Sequence, residues 1–182
     1  VQIDILINDD TFPVAKLLPH INSIYTFSYS QKKDNRFQQE KNLVVSLFKK
    51  YDLSINLTSS DRSVIYALLA GRKSISVIEK DNKKSWWKKK LLTHFYFYNN
   101  NEHILVQNLT PLALLNIEYD LVQNSIDISE TALNTIQSKL KKHGIKKFII
   151  FHPSAQYNYK IFPKKLRNEL LMMLFIPYLR RY

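Results

Sequence analysis

Short β-branched and apolar runs recur along this chain, each followed by a longer stretch with helical spacing, and that alternation leaves few folds open. Residues 3–7, 23–27, 54–57, 74–78 and 148–151 are the strand candidates. They are brief and bounded by polar residues, as strands covered on both faces should be. Between them, residues 36–50 place Val44, Leu47 and Phe48 on one helical face. Residues 63–69 follow Ser59-Ser60-Asp61, a run whose side chains suit a helix start. Residues 102–115 are helical in pattern with Pro111 inside, a place for a kink. Residues 129–143 give the clearest helix. Leu133, Ile136 and Leu140 share a face, Lys141, Lys142 and His143 suit the negative end, and Gly144 stands where a glycine ends a helix. This rhythm predicts an α/β fold built on a parallel sheet. It weakens between Tyr119 and Ser129, which predicts two domains, 1–125 and 126–182. The lysine-rich residues 83–90 and the asparagines 99–101 read as low-complexity segments.

Composition narrows the chemistry. The 182 residues suffice for one full domain and the start of another. Cysteine is absent, which excludes disulfides and thiolate metal sites. The two glycines, Gly71 and Gly144, exclude a phosphate loop of clustered glycines. With no leader-like opening, the expected compartment is the cytoplasm. The apolar stretch 170–179 is much too short to span a bilayer. The unusual number is a formal net charge of +12, which draws nucleic acid, anionic lipid or phosphorylated sugars without choosing among them. His94 and His103 lack metal-ligand spacing with any carboxylate pair, so no metal site is expected. Asp52 and Asp61 make no acid/base pair, Asp61 suiting a helix start instead. His152, before a proline, reads as a loop-shaping residue. The chain opens inside a strand at Val1, and an apolar helix runs into Phe175-Ile176-Pro177-Tyr178-Leu179-Arg180-Arg181-Tyr182 and stops abruptly, so sequence is expected to be missing at both ends.

Three stretches carry a family resemblance. The first is Gln2-Ile3-Asp4-Ile5-Leu6-Ile7 with Asp10-Thr11 and Pro19-His20-Ile21-Asn22. The second is Tyr51-Asp52-Leu53-Ser54-Ile55-Asn56-Leu57 with Asp61-Arg62-Ser63 and Leu68-Leu69-Ala70-Gly71. The third is Phe151-His152-Pro153-Ser154-Ala155 with Lys160, and His103 with Asn108-Leu109 fits between them. In this order and spacing they resemble glycosyltransferase family 9, the bacterial ADP-heptose:lipopolysaccharide heptosyltransferases. The resemblance implies a GT-B arrangement of two Rossmann-like domains. Residues 1–125 would be the acceptor side lacking its first strand, and residues 126–182 the start of the donor-binding domain. It further implies an inverting transfer of heptose from ADP-heptose to the phosphorylated lipopolysaccharide inner core. That work would be done without a cofactor, in the cytoplasm and peripheral to the inner membrane, with no nucleic acid as partner.

Such a transfer needs a base, a neutraliser for the departing diphosphate and a grip on the acceptor. The resemblance gives the second task to Lys160, whose ammonium would offset charge on the leaving group, and gives Ser154 a hydrogen bond to the same diphosphate. Pro163 can open the following helix, whose positive end also favours anions. Arg62, with Ser60, falls at a strand-to-helix junction, where ligands bind in open α/β folds. A guanidinium there could hold a core phosphate or a Kdo carboxylate; its structural alternative is a salt bridge with a neighbour. The family's base is an aspartate beside a glycine after the first strand, and no residue here matches it. The chain is therefore expected to be inactive, or nearly so, by itself.

Lys84, Trp86, Trp87, Lys88 and Lys89 mix cations with large amphipathic rings, a combination suited to an anionic membrane surface. The structural alternative is a solvated charged face with the tryptophans turned inward. Two competing readings of the whole chain remain: a basic α/β module binding nucleic acid or anionic lipid, and a decaying product with exposed sheet edges.

Overall fold

The structure, a computed structural model, describes residues 1–30, 33–119, 126–155 and 157–179. Two compact units divide the chain, Val1–Asp127 and Ile128–Tyr182. Residues 120–125, up to the boundary read from the sequence, and residues 180–182 lie outside the described set.

In the first unit the elements run β1 (Ile3–Asn8), a 3-10 turn at Asp9–Thr11, α1 (Phe12–Ala15), β2 (Ile21–Phe27), α2 (Lys33–Leu47) and β3 (Tyr51–Asn56). They continue through α3 (Asp61–Ala70), β4 (Gly71–Ile78), α4 (Asn82–Leu91), β5 (His94–Phe97) and α5 (Ile104–Leu114). All pairing is parallel. β1 pairs with β2, and β4 lies between β3 and β5. Of the strands read from sequence, the first four are present in the ladders.

The central strand explains its own composition. Ser74 through Ile78 are all buried, with Ile75, Ser76 and Ile78 fully so, because helices must cover a parallel sheet. One core cluster joins Phe27, Leu43, Leu47, Tyr66 and Ala70. The other joins Val64, Ile78 and Leu92, with Leu68, Trp87 and Phe95 packed against it. The apolar stripe of α2 is thus Leu43 and Leu47 with the half-buried Val44 packed against the same cluster; Phe48, expected on that face, lies beyond the helix end and is exposed. Gly71 starts β4 directly from the end of α3. A Cβ there would stand 2.7 Å from the backbone nitrogen of Ser54, so this close approach of β3 requires glycine. Lys49 folds its ammonium onto the carbonyls of Leu68 and Gly71 at 3.0 and 2.8 Å, satisfying the end of α3.

No ladder among the described residues joins β1 to β3; side chains span the interval instead. The Asp4 carboxylate accepts from the Tyr51 hydroxyl at 2.7 Å and from Asn22 at 2.9 Å, and pairs with Lys50 at 3.4 Å. Burial works against the Asp4 charge, but these hydrogen bonds from Tyr51, Asn22 and Lys50 outweigh it and hold its pKa below the usual carboxylate range. The Tyr51 phenol is pushed well up, by burial first and by its bond to Asp4.

In the second unit, α6 (Glu130–Lys142) starts at Ser129, whose side chain accepts from the Ala132 N–H. It ends at Gly144 with φ of 65°, where the Ile145 N–H reaches the Leu140 carbonyl at 2.9 Å. A 3-10 turn at Asn158–Lys160 and α7 (Lys164–Leu179) follow. Residues 148–151 correct the sequence expectation. They form no strand: among the described residues no ladder partner stands beside them, and Phe148, Ile149 and Ile150 are exposed.

Two outcomes test this account. Ile78→Ala should cost about 2–5 kcal/mol in urea-induced unfolding, since a fully buried side chain on the central strand leaves a cavity. For Asp4, the folded pKa lies below the unfolded one, so the native state binds fewer protons. Its contribution is present above the ordinary carboxylate range and is lost as pH falls through the lowered value. Urea midpoints from pH 7 downward should therefore fall less steeply in Asp4→Asn than in the parent chain.

Candidate functional site

The parallel strands send their following loops to one edge, where open α/β folds bind ligands. After β1 come Asp9 and Asp10, and after β2 come Tyr29 and Ser30. These four line an open groove of about 350 Å³. A glutamine holds the backbone at the end of β2: Gln39 of α2 accepts from the Ser28 N–H at 2.8 Å and donates to the Ser28 carbonyl at 3.1 Å. The amide acts as a strand partner would, and it fixes where Tyr29 and Ser30 begin. Gln107 does the same at Asn99 beyond β5, at 3.0 and 2.7 Å. A second open groove of about 380 Å³ runs along α2 and β2, lined by neutral groups such as Gln38, Asn42 and Thr26.

Arg62 stands beside the carboxyl-edge groove, on the first turn of α3. Its guanidinium lies over the Phe27 ring, with the Tyr29 and Tyr66 rings at 5.4 and 5.5 Å. Glu40 of α2 lies 3.0 Å from its Nε, and the same carboxylate accepts from the Tyr66 hydroxyl. The Nε–H is buried and does not point at an acceptor, so this is an ion pair without a well-aligned hydrogen bond. The structural alternative raised for Arg62 is therefore present, with Glu40 as the neighbour. Burial and then Glu40 push the Tyr66 phenol up to about 12.

Ser60 caps α3, its hydroxyl accepting from the Ser63 N–H at 3.3 Å. Asp61, expected as that cap, instead lies in the first turn and pairs with Lys88 at 2.8 Å. Asp52 is exposed, 3.7 Å from Arg72. His103 caps α5 through Nδ1, which accepts from the Leu105 N–H at 3.2 Å.

The lysine-rich segment is a helix, which its polarity concealed. The inward face of α4 is Ser85 and Lys88, continued by Leu92 just past the helix end, spaced as a helix requires but with two polar members. Lys88 is fully buried, and it corrects the expectation of a surface contact. Its ammonium donates to the Ser59 carbonyl at 2.6 Å and to Glu79 at 2.9 Å, besides meeting Asp61. Burial alone would lower its pKa, but both carboxylates outweigh that and raise it. Trp87 is likewise turned toward the core, packed on the Val64 cluster. Lys84 and Trp86 remain exposed, with Lys90 5.6 Å from the Trp86 ring and Lys89 5.2 Å from that of Phe97. Among the described residues no helix is long and apolar enough to cross a membrane.

In the second unit, Ser154 and His152 are exposed in the segment after residue 151. Lys160 closes the 3-10 turn, its ammonium 5.3 and 5.6 Å from the stacked rings of Tyr157 and Tyr159. α7 begins just past Pro163, whose carbonyl accepts from Arg167 at 3.0 Å. Sequence reasoning missed Asp9, Tyr29, Glu40 and Glu79. The only available signal was their position one to three residues beyond an apolar run, or on the helix packing against it.

The fold is shared with a solved structure. It is mixed α/β with parallel sheets and matches the GT-B-like fold in the crystal structure of the glycosyl transferase family 9 from Veillonella parvula DSM 2008. The TM-score is 0.70 at 16% identity, over 96% of this chain and 50% of that one. No family model matches the sequence. Over 166 residues, 87% of the chain, it is 30% identical to lipopolysaccharide heptosyltransferase 3 of Escherichia coli (strain K12), covering 47% of that protein. The chain thus spans about half the length of the relatives it matches. Together these likenesses make the chain similar, over about half their length, to a lipopolysaccharide heptosyltransferase in sequence and to a family 9 glycosyltransferase in fold.

The pairing of Tyr66 with Glu40 has a spectroscopic consequence. In an ultraviolet pH titration, Glu40→Gln should let the Tyr66 phenol ionise at lower pH than in the parent chain, with Tyr66→Phe identifying the signal.

Proposed function

We propose that this chain serves the inverting transfer of heptose from ADP-heptose to the phosphorylated lipopolysaccharide inner core. In this reading its first unit is the acceptor side and its second unit carries donor contacts. The observation that carries the reading is the 30% identity to a lipopolysaccharide heptosyltransferase across 87% of the chain. The groove at the carboxyl edge supports it chemically. Asp9 and Asp10 can accept from sugar hydroxyls, Tyr29 offers an exposed ring, and Arg62 beside them supplies a cation for phosphate or carboxylate. Ser60 contributes by setting the helix start from which Arg62 projects.

On the donor side, Lys160 and Ser154 act on the diphosphate. The ammonium rests against two tyrosine rings, which restrains it while leaving it exposed to an incoming anion. Held there, it lowers the cost of charge on the departing ADP. Lys84, Trp86 and Lys89 on α4 serve a peripheral contact with the anionic cytoplasmic face of the inner membrane; Trp87 and Lys88 take no part in it.

The base assigned by resemblance is an aspartate beside a glycine. In these 182 residues Gly71 is flanked by Ala70 and Arg72, and Gly144 by His143 and Ile145. Assayed alone with ADP-heptose and a deacylated, phosphorylated core acceptor, the chain is expected to give no measurable transfer. Calorimetric titration with the same acceptor should still show binding, weakened roughly 10-fold or more in Arg62→Ala by loss of a charge-assisted contact. Salt-sensitive binding to arbitrary DNA with no affinity for the core oligosaccharide would instead establish the nucleic-acid module.

A further inference from the structure

Lys88 is the one fully buried cation among the described residues, and its three ammonium hydrogens meet three acceptors. The Ser59 carbonyl and Asp61 belong to the junction between β3 and α3. Glu79 directly follows β4, and Lys88 itself lies on α4. One ammonium therefore fastens two consecutive strand-to-helix junctions at the carboxyl ends of β3 and β4.

Such a group is not explained by stability. Withdrawing a charge from water is costly, and apolar side chains of similar volume commonly hold a core as well or better. What an apolar residue cannot do is fix the direction of a loop carbonyl and two carboxylates. The junction it fastens is already dense in short-range bonds. Asn56 donates to the Thr58 carbonyl and to Ser76, Thr58 donates to the Ser63 hydroxyl at 2.6 Å, and Ser60 caps the helix. Arg62 follows Asp61 directly and leaves this turn toward Phe27 and Tyr29. We infer that Lys88 is a positioning residue for acceptor recognition: through Asp61, Ser59 and Glu79 it holds the start of α3 so that Arg62 is presented at the groove.

This rests on the acceptor-side reading of the first unit, and the experiment separates the two. Binding of the phosphorylated core oligosaccharide is measured for the parent chain, Arg62→Ala, Asp61→Asn, and a triple variant Lys88→Met, Asp61→Asn, Glu79→Gln. Amide hydrogen exchange is followed in parallel. Asp61 is largely exposed, so Asp61→Asn is expected to fold whether or not the triple variant does. The expected result is faster exchange confined to residues 58–63 and 79–81, with the β1–β2 amides unchanged, and affinity reduced severalfold in Asp61→Asn. The triple variant, where it folds, should approach Arg62→Ala. A merely stabilising role would instead raise exchange throughout the unit and leave affinity untouched. If Arg62→Ala weakens binding while Asp61→Asn leaves both affinity and local exchange at parent values, the positioning role is wrong. If Arg62→Ala itself binds as the parent does, the acceptor-side reading fails first.

Discussion

The burial of β4 is the constraint from which the rest of the first unit follows. A parallel strand with a neighbour on each side must be covered above and below, and Ser74 through Ile78 are accordingly closed to water. α3 reaches the sheet through Val64 and Leu68, and meets α2 through Tyr66 and Ala70. Because every pairing within the two ladders is parallel, the loops after the strands of each ladder collect at one edge of it. The groove, Arg62 and the Lys88 junction are consequences of that direction.

Charged and polar side chains finish what the apolar packing begins. β1–β2 and β3–β4–β5 are separate ladders, and the reach between them is made by Tyr51, Lys50 and Asp4. Gln39 and Gln107 use side-chain amides where a strand would otherwise have to continue. In each case a buried or half-buried polar group is satisfied by another. That rule, more than hydrophobicity, decides which loop conformations persist.

The second unit is built differently. α6 has proper signals at both ends, yet it buries no residue, and Leu133 and Ile136 stay exposed. The segment after it carries the donor-side candidates on turns and open backbone. Local capping marks where α6 starts and stops; strand formation at residues 148–151 is not local, since it needs a partner for its hydrogen bonds.

Sequence determined what local chemistry and periodicity can encode. Apolar runs marked β1, β2 and β4 and the core of β3, Ser129 and Gly144 marked the ends of α6, and the ordered motifs indicated the glycosyltransferase fold. It did not reveal α4, because the inward face of that helix contains Ser85 and Lys88, nor β5, whose four residues are too few for a period. The candidate site was legible only in Arg62, Ser60, Ser154 and Lys160. Asp9, Tyr29, Glu40 and Glu79 acquire meaning from the elements packed beside them. Tertiary structure alone decided that Lys88 and Trp87 face inward while Trp86 and Lys84 face water. A lysine is read as solvated until carboxylates from other segments arrive to meet it, and which segments arrive is a property of the folded chain.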